Sequence, residues 1–242
     1  MVSSIRERYL QALDNINSAA QSVGRDPESV KLVVVTKAQS VEVAQAAIEA
    51  GARILGENYP EEGVMKLQSL REFNTVEWHM IGHVQSRKAQ LVAGNFNFLH
   101  SLDSLKLAKR LDRFCGKAGR TLATLLEFNV GEEGSKSGWP AWDESHWPSL
   151  LGELSEVIAL PNLMVRGLMT MPPLGGTAES SRSFFRKLKR LQAYLSSQFP
   201  GVDFSELSMG TSSDYEVAVQ EGATLVRVGT AIVGARQYKT ED

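Results

Sequence analysis

The chain has 242 residues, 43% hydrophobic, 22% charged and 7% aromatic, with 26 basic side chains against 28 acidic ones and a formal net charge of -2. Such a chain buries a full core, is neither disordered nor fibrous, and offers no global field to nucleic acid or an anionic membrane. No apolar run reaches the roughly 18 residues of a membrane span, and residues 1–8 carry no apolar leader, which predicts a cytoplasmic protein.

An amphipathic helix over 3–23 opens the chain, and β-branched apolar runs then alternate with helix-period segments as far as residue 234. Strands are predicted at 30–37, 53–58, 77–83, 96–102, 122–130, 163–171, 206–211 and 224–233, with helices between them such as 41–50, 60–71, 104–118, 180–197 and 214–221. This alternation predicts parallel strands joined by crossover helices: an α/β fold, a single closed (β/α)8 TIM barrel with an additional N-terminal helix, as one domain over 1–242. Cys115, the single cysteine, falls in the helix over 104–118 beside Leu111 and Phe114, where it reads as packing. The stretches 131–147 and 172–177 are rich in Gly, Ser, Pro and Trp and read as βα loops. In the first, Gly131-Glu132-Glu133-Gly134-Ser135-Lys136-Ser137 lacks the glycine that precedes the Lys-Ser pair of a triphosphate loop, which leaves a mobile lid as its candidate role. The run Arg186-Lys187-Leu188-Lys189-Arg190 reads as a solvated helix face.

In β/α barrels the functional face lies at the C-terminal ends of the strands. The first strand ends in Val33-Val34-Val35-Thr36-Lys37. A lysine desolvated at the barrel mouth has a lowered pKa and becomes a nucleophilic amine; the plainer alternative is a surface lysine closing a strand. The second ends in Gly56-Glu57-Asn58-Tyr59, where Asn58 suits a hydrogen bond to a ring substituent and Glu57 or Tyr59 suits a helix N-terminus. The third carries His79 and His83, which at about 3.3 Å rise per residue lie roughly 13 Å apart, too far to share one ion. His79 therefore reads as a packed or ring-stacking residue and His83 as a loop-edge polar group, and no metal is assigned. The seventh runs into Ser208-Met209-Gly210-Thr211-Ser212-Ser213-Asp214, with Ser212 or Ser213 as the N-cap of the next helix, and the eighth supplies Arg227-Val228-Gly229-Thr230. A helix start beside a cation, a close-approach glycine and a hydroxyl makes an anion site where barrels often hold phosphate; the alternative is a capped helix next to a salt-bridged core arginine.

Six segments then stand in order along the chain: Val34-Val35-Thr36-Lys37, Gly56-Glu57-Asn58-Tyr59, Trp78-His79-Met80-Ile81-Gly82, Gly167-Leu168-Met169-Thr170-Met171, Ser208-Met209-Gly210, and Val226-Arg227-Val228-Gly229-Thr230-Ala231-Ile232-Val233-Gly234. They resemble the segments of the pyridoxal phosphate homeostasis family, fold type III barrels related to the N-terminal domain of alanine racemase. The resemblance implies pyridoxal 5'-phosphate (PLP) as cofactor, held as a Schiff base on Lys37. By the same resemblance Ser212, Gly229 and Thr230 hold the phosphate, Arg227 reaches the phosphate or the ring nitrogen, and Asn58, Ser208 and Met209 line the remaining pocket. The sequence departs from the family pattern at Thr211, often Met, at Arg87, commonly Asn, and at Val84, commonly Leu; none of these touches Lys37 or the phosphate residues. The implied function is a non-catalytic carrier in PLP homeostasis, a monomer that delivers the cofactor to PLP-dependent apoenzymes. An alanine-racemase-type enzyme is the alternative, but it needs a base on each face of the ring. Related racemases take the second base from a C-terminal β domain, which a chain ending at Asp242 is expected to lack. A barrel enzyme acting on phosphorylated sugars through Lys37 is the third reading.

Overall fold

The computed structural model describes residues 4–132, 137–173 and 175–235. Nine strands alternate with helices: β1 (Lys31–Val35), β2 (Ile54–Glu57), β3 (Glu77–Met80), β4 (Phe98–Leu102), β5 (Leu122–Asn129), the two-residue β6 (Trp139–Pro140), β7 (Leu163–Met169), β8 (Glu206–Ser208) and β9 (Leu225–Val228). Every pairing is parallel; β1 pairs with both β2 and β9, and β4 pairs with β5, so that all but β6 close into an eight-stranded barrel. The helices are α1 (Ile5–Gln21), α2 (Val41–Glu49), α3 (Pro60–Ser69), α4 (Ala89–Asn95), α5 (Leu105–Lys117), α6 (Trp147–Ile158), α7 (Ala178–Gln198), α8 (Tyr215–Gln220) and α9 (Thr230–Val233). This is the predicted α/β TIM barrel with an extra N-terminal helix.

Local chemistry sets the ends of the elements. Ser4 and Glu7 form a reciprocal capping box that starts α1. The buried face of α1, Tyr9, Ala12, Ile16, Ala19 and Ala20, packs toward the barrel, while the Arg8 side chain donates to the carbonyl of Ile232 and Asn15 to the Tyr215 hydroxyl. The helix thus lies across α8 and α9.

The core divides into two parts. Val33, Leu125, Met169 and Leu225 fill the inside of the barrel with Ile54 and Phe98 against them, and a much larger cluster fills the layer between barrel and helices. Since strand side chains alternate in direction, Val33 and Val35 belong to the inward set, whereas Leu32, Val34 and Thr36 face the helices; Lys37 follows in the turn at the barrel mouth.

One expectation changes. The eighth predicted strand, 224–233, stops at Val228, because Gly229 turns the chain (φ -113, ψ -87) into the helical turn α9. A Cβ on Gly229 would lie 3.2 Å from the Cβ of Val35 and 3.3 Å from its carbonyl, so the turn presses directly on β1. Helices α4 and α6 fill positions where the alternation called for a helix without fixing its bounds; α6 opens on Trp147-Pro148, a proline where its missing N–H costs nothing, and α4 has no side-chain cap. Of the candidate lid, residues 133–136 lie outside the described residues. No helix among the described residues is long and apolar enough to cross a membrane.

Candidate functional site

The C-terminal rim of the barrel brings together the ends of β1, β2, β7, β8 and β9. Lys37 sits half-buried in the turn after β1. That turn is anchored from behind. The Thr36 hydroxyl donates to Glu57 Oε1 at 2.7 Å, the Lys66 ammonium donates to the Thr36 carbonyl at 2.6 Å and to Glu57 Oε1 at 2.8 Å, and Lys66 also meets Glu62. Glu62 in turn accepts the Ala38 N–H at 2.8 Å. Ala38, at φ 54, is the only non-glycine with positive φ among the described residues. Glu57 and Lys66 are fully buried, and desolvation pushes the Glu57 carboxyl above its ordinary range against the pull of the Lys66 cation. The helix-start role considered for Glu57 and Tyr59 is therefore not the one observed. Tyr59 precedes α3 without a side-chain cap and is exposed, and Glu57 faces the helix layer, where Lys66 neutralises it.

Across the β1–β9 pairing, in register at Val34 and Val228, stand the residues expected to hold phosphate. The Ser212 hydroxyl accepts the N–H of Gly229 at 3.1 Å and that of Ala231 at 3.4 Å. Ser212 does not cap its own helix, as the sequence suggested, but ties the β8 loop to the start of α9. The residue before α8 is Asp214, whose carboxylate accepts the Thr211 N–H at 2.7 Å and the Thr211 hydroxyl at 3.1 Å. This closes the turn locally and releases Ser212 for the neighbouring strand. Thr230 is exposed at the same rim.

Inside the barrel a polar column runs below the rim. Arg227, 4% exposed, donates to the Ser208 hydroxyl, to the Thr170 carbonyl at 3.0 Å and to Met171 Sδ at 2.9 Å. Ser208 meets His100 Nδ1 at 2.8 Å, His100 Nε2 meets His79 Nδ1 at 2.9 Å, and His79 Nε2 meets Glu77 at 3.1 Å. Burial pulls the Arg227 guanidinium down to about 10, partly offset by Glu127 and Asp214, so it remains a cation at neutral pH. Its hydrogen-bond partners are neutral, in contrast to the salt-bridged core arginine considered above. Desolvation depresses both histidines, His100 further than His79. His79 stacks on Phe98 with centroids 5.1 Å apart, while His83 is exposed and paired with Asp103 at 2.9 Å. No group of three or more His, Cys, Asp or Glu side chains among the described residues is arranged to hold a metal ion.

The structure therefore gathers Lys37, Asn58, Ser208, Ser212, Arg227, Gly229 and Thr230 at or just below one rim. Met209 is the exception: it is fully buried in the outer cluster, because alternation after the inward Ser208 turns its side chain toward the helices. Two participants escaped sequence reading. His100 shares the face of Phe98 two residues earlier, a signal that alternation carried; Lys66 reads as a solvated helix lysine, and only its i,i+4 spacing from Glu62 hinted at a pair.

Comparison with known proteins agrees with this arrangement. Residues 10–237 match the family described as alanine racemase, N-terminal domain. The pyridoxal phosphate homeostasis protein of Vibrio alginolyticus is 41% identical over 98% of this chain and 100% of that protein, and its counterpart in Escherichia coli K12 is 38% identical over 98% and 99%. PipY of Synechococcus elongatus, solved with PLP bound, is 36% identical with a TM-score of 0.80 over 96% of this chain and 100% of that one. The chain belongs to the alanine racemase N-terminal domain family and, within it, to the pyridoxal phosphate homeostasis proteins.

Proposed function

We propose that this chain binds pyridoxal 5'-phosphate at the β1–β9 rim through Lys37 and acts as a non-catalytic carrier in PLP homeostasis. The observation that carries this reading is the meeting, across one strand pairing, of the turn that carries Lys37 and the two backbone N–H groups, of Gly229 and Ala231, gathered on the Ser212 hydroxyl. The residues also fit the group. The Asn58 side-chain oxygen is buried without a hydrogen-bond partner among the described residues, and Gly229 is the residue type that keeps the turn beside Val35 open.

PLP supplies an aldehyde, which a primary amine captures with loss of water. Lys37 offers that amine. Ser212, Gly229 and Thr230 hold the phosphate by hydroxyl and backbone N–H donors. Of the two destinations open to Arg227, the ring nitrogen is favoured, since its guanidinium is engaged with Ser208 and Thr170 inside the barrel and not with Ser212. Ser208 orients Arg227, and Asn58 meets a ring substituent. The relatives' shared name and the PLP-bound neighbour support carriage over racemisation. The near-balanced charge gives the chain no global field to hold it on nucleic acid or an anionic membrane, and the carrier reading adds a cytoplasmic monomer that hands PLP to apoenzymes.

Borohydride reduction after incubation with PLP, followed by peptide mapping, tests the site; an adduct on Lys37 is expected. No adduct, together with uptake of a phosphorylated sugar, would replace the reading by the sugar-phosphate alternative. Steady turnover of L-alanine to D-alanine at ordinary enzyme rates would replace the carrier by a racemase.

A further inference from the structure

We propose that Lys66, together with Glu57 and Glu62, is a positioning device for Lys37, a buried latch that fixes the backbone on both sides of that residue from behind the barrel wall. The proposal rests on the reading of Lys37 as the PLP-bearing residue.

Lys66 has no exposed surface although it lies on a helix that also presents solvated faces. A buried ammonium is costly unless it is paired and fully hydrogen-bonded. Here all three of its donors are used, on the Thr36 carbonyl, Glu57 and Glu62. The Thr36 carbonyl and the Ala38 N–H belong to the two peptide groups that flank Lys37. Lys66 holds the first directly, and Glu62, itself held by Lys66, holds the second.

The same bracket accounts for Ala38. A residue with a Cβ disfavours positive φ, and the Glu62 bond to its N–H retains it there. The Thr36 hydroxyl on Glu57 joins the end of β1 to the end of β2. Thr36 and Glu57 face the helix layer, so the network acts on Lys37 through the backbone. A shift of the turn would move the amine relative to the cradle on β9, and misplacement of about 1 Å is enough to cost a reaction on the order of a hundredfold.

Glu62 is the member to test first, because its side chain is 22% exposed and its replacement leaves no charge stranded in a dry site apart from Lys66, which keeps Glu57. Glu62→Ala removes the acceptor for the Ala38 N–H, and Glu62→Gln retains an oxygen there. A double variant, Lys66→Met with Glu57→Gln, removes the buried pair without orphaning either charge. The rate of borohydride-trappable adduct formation on Lys37 is measured beside the Kd for pyridoxine 5'-phosphate, which carries ring and phosphate but no aldehyde, and beside the melting temperature.

The expected result is a trapping rate lowered roughly tenfold or more in Glu62→Ala and in the double variant, with recovery in Glu62→Gln and an unchanged Kd for pyridoxine 5'-phosphate. An unchanged trapping rate in folded variants overturns the proposal. So does a parallel loss of trapping, pyridoxine 5'-phosphate binding and melting temperature in Glu62→Ala and Glu62→Gln alike, which is the signature of a merely structural role. A wild-type chain that forms no adduct on Lys37 overturns the cofactor reading and the latch with it, whereas a wild-type adduct with unaffected variants overturns the latch alone.

Discussion

On the β1–β2 side of the rim, position is set by ions in a dry layer behind the wall, where Lys66, Glu57 and Glu62 converge on the peptide groups around Lys37. On the β8–β9 side the contacts nearest the proposed phosphate site are not ion pairs: the Ser212 hydroxyl accepts two backbone N–H groups and the Arg227 guanidinium leans on a serine, a carbonyl and a thioether, while the Asp214 carboxylate closes the Thr211 turn behind them. The contrast follows the work each side is proposed to do. An amine that makes a covalent bond must be placed within a narrow tolerance, and short charge-assisted hydrogen bonds are the stiffest means available. An anion with several equivalent oxygens accepts a looser ring of donors, and an arginine whose hydrogen bonds among the described residues go to a hydroxyl, a carbonyl and a thioether keeps its charge available to a ligand.

The largest effect is expected on the amine side. Lys37→Ala should abolish the borohydride-trapped adduct and any absorbance near about 420 nm, where a lysine-bound PLP is expected. An adduct that persists at another lysine would dissolve the contrast, since the latch would then brace the wrong residue. Next comes the β8–β9 side: Arg227→Gln should weaken PLP retention by about 1.5–3 kcal/mol, the worth of a charge-assisted hydrogen bond, read by equilibrium titration. Equal affinity would make Arg227 a packing residue.

The polar column below the rim predicts a smaller, pH-dependent term. Burial depresses the pKa of His100 well below the ordinary histidine value, so the unfolded chain takes up protons at His100 before the folded one does. Stability from this source is fully present above about pH 6.5 and is lost as pH falls below it. Urea titration should show stability falling as pH drops from about 7.5 to about 5.5, and His100→Gln should flatten that slope. A variant with the wild-type slope would show that His100 takes up its proton at the same pH in the folded and the unfolded chain. The smallest effect is expected away from the site: Lys109, half-exposed and paired with Glu156 at 2.8 Å, should cost below about 1 kcal/mol as Lys109→Ala and leave PLP binding untouched.

Much of this was legible in the sequence, for reasons that differ by element. Strand β1 is an apolar run that delivers Lys37 just past its end, and Arg227 and Gly229 could be placed because they lie in and directly after the apolar strand β9. The partners of Ser212 were not legible, because whether a serine caps its own helix or reaches the next strand depends on Asp214 closing the Thr211 turn first. Met209 was assigned to the pocket because the motif contains it, whereas alternation after Ser208 sends it outward. Lys66 was invisible because burial of a lysine is decided by groups from three separate segments, Thr36, Glu57 and Glu62, that only the closed barrel assembles.

The seam between β1 and β9 pairs Lys31 with Leu225 and Val34 with Val228, strands drawn from opposite ends of the sequence. Closing it pays the loop entropy of almost the entire chain, the kind of long-range contact that slows folding. During synthesis Lys37 emerges early, yet Gly229 and Thr230 follow only when nearly every other strand has left the ribosome. Until then the edge of β1 has no neighbour on that side, and a nascent chain has an amine without a cradle. Competence to hold a ligand across this seam therefore arrives in one late step, and a stalled or prematurely ended chain would present an open strand edge rather than a weaker site.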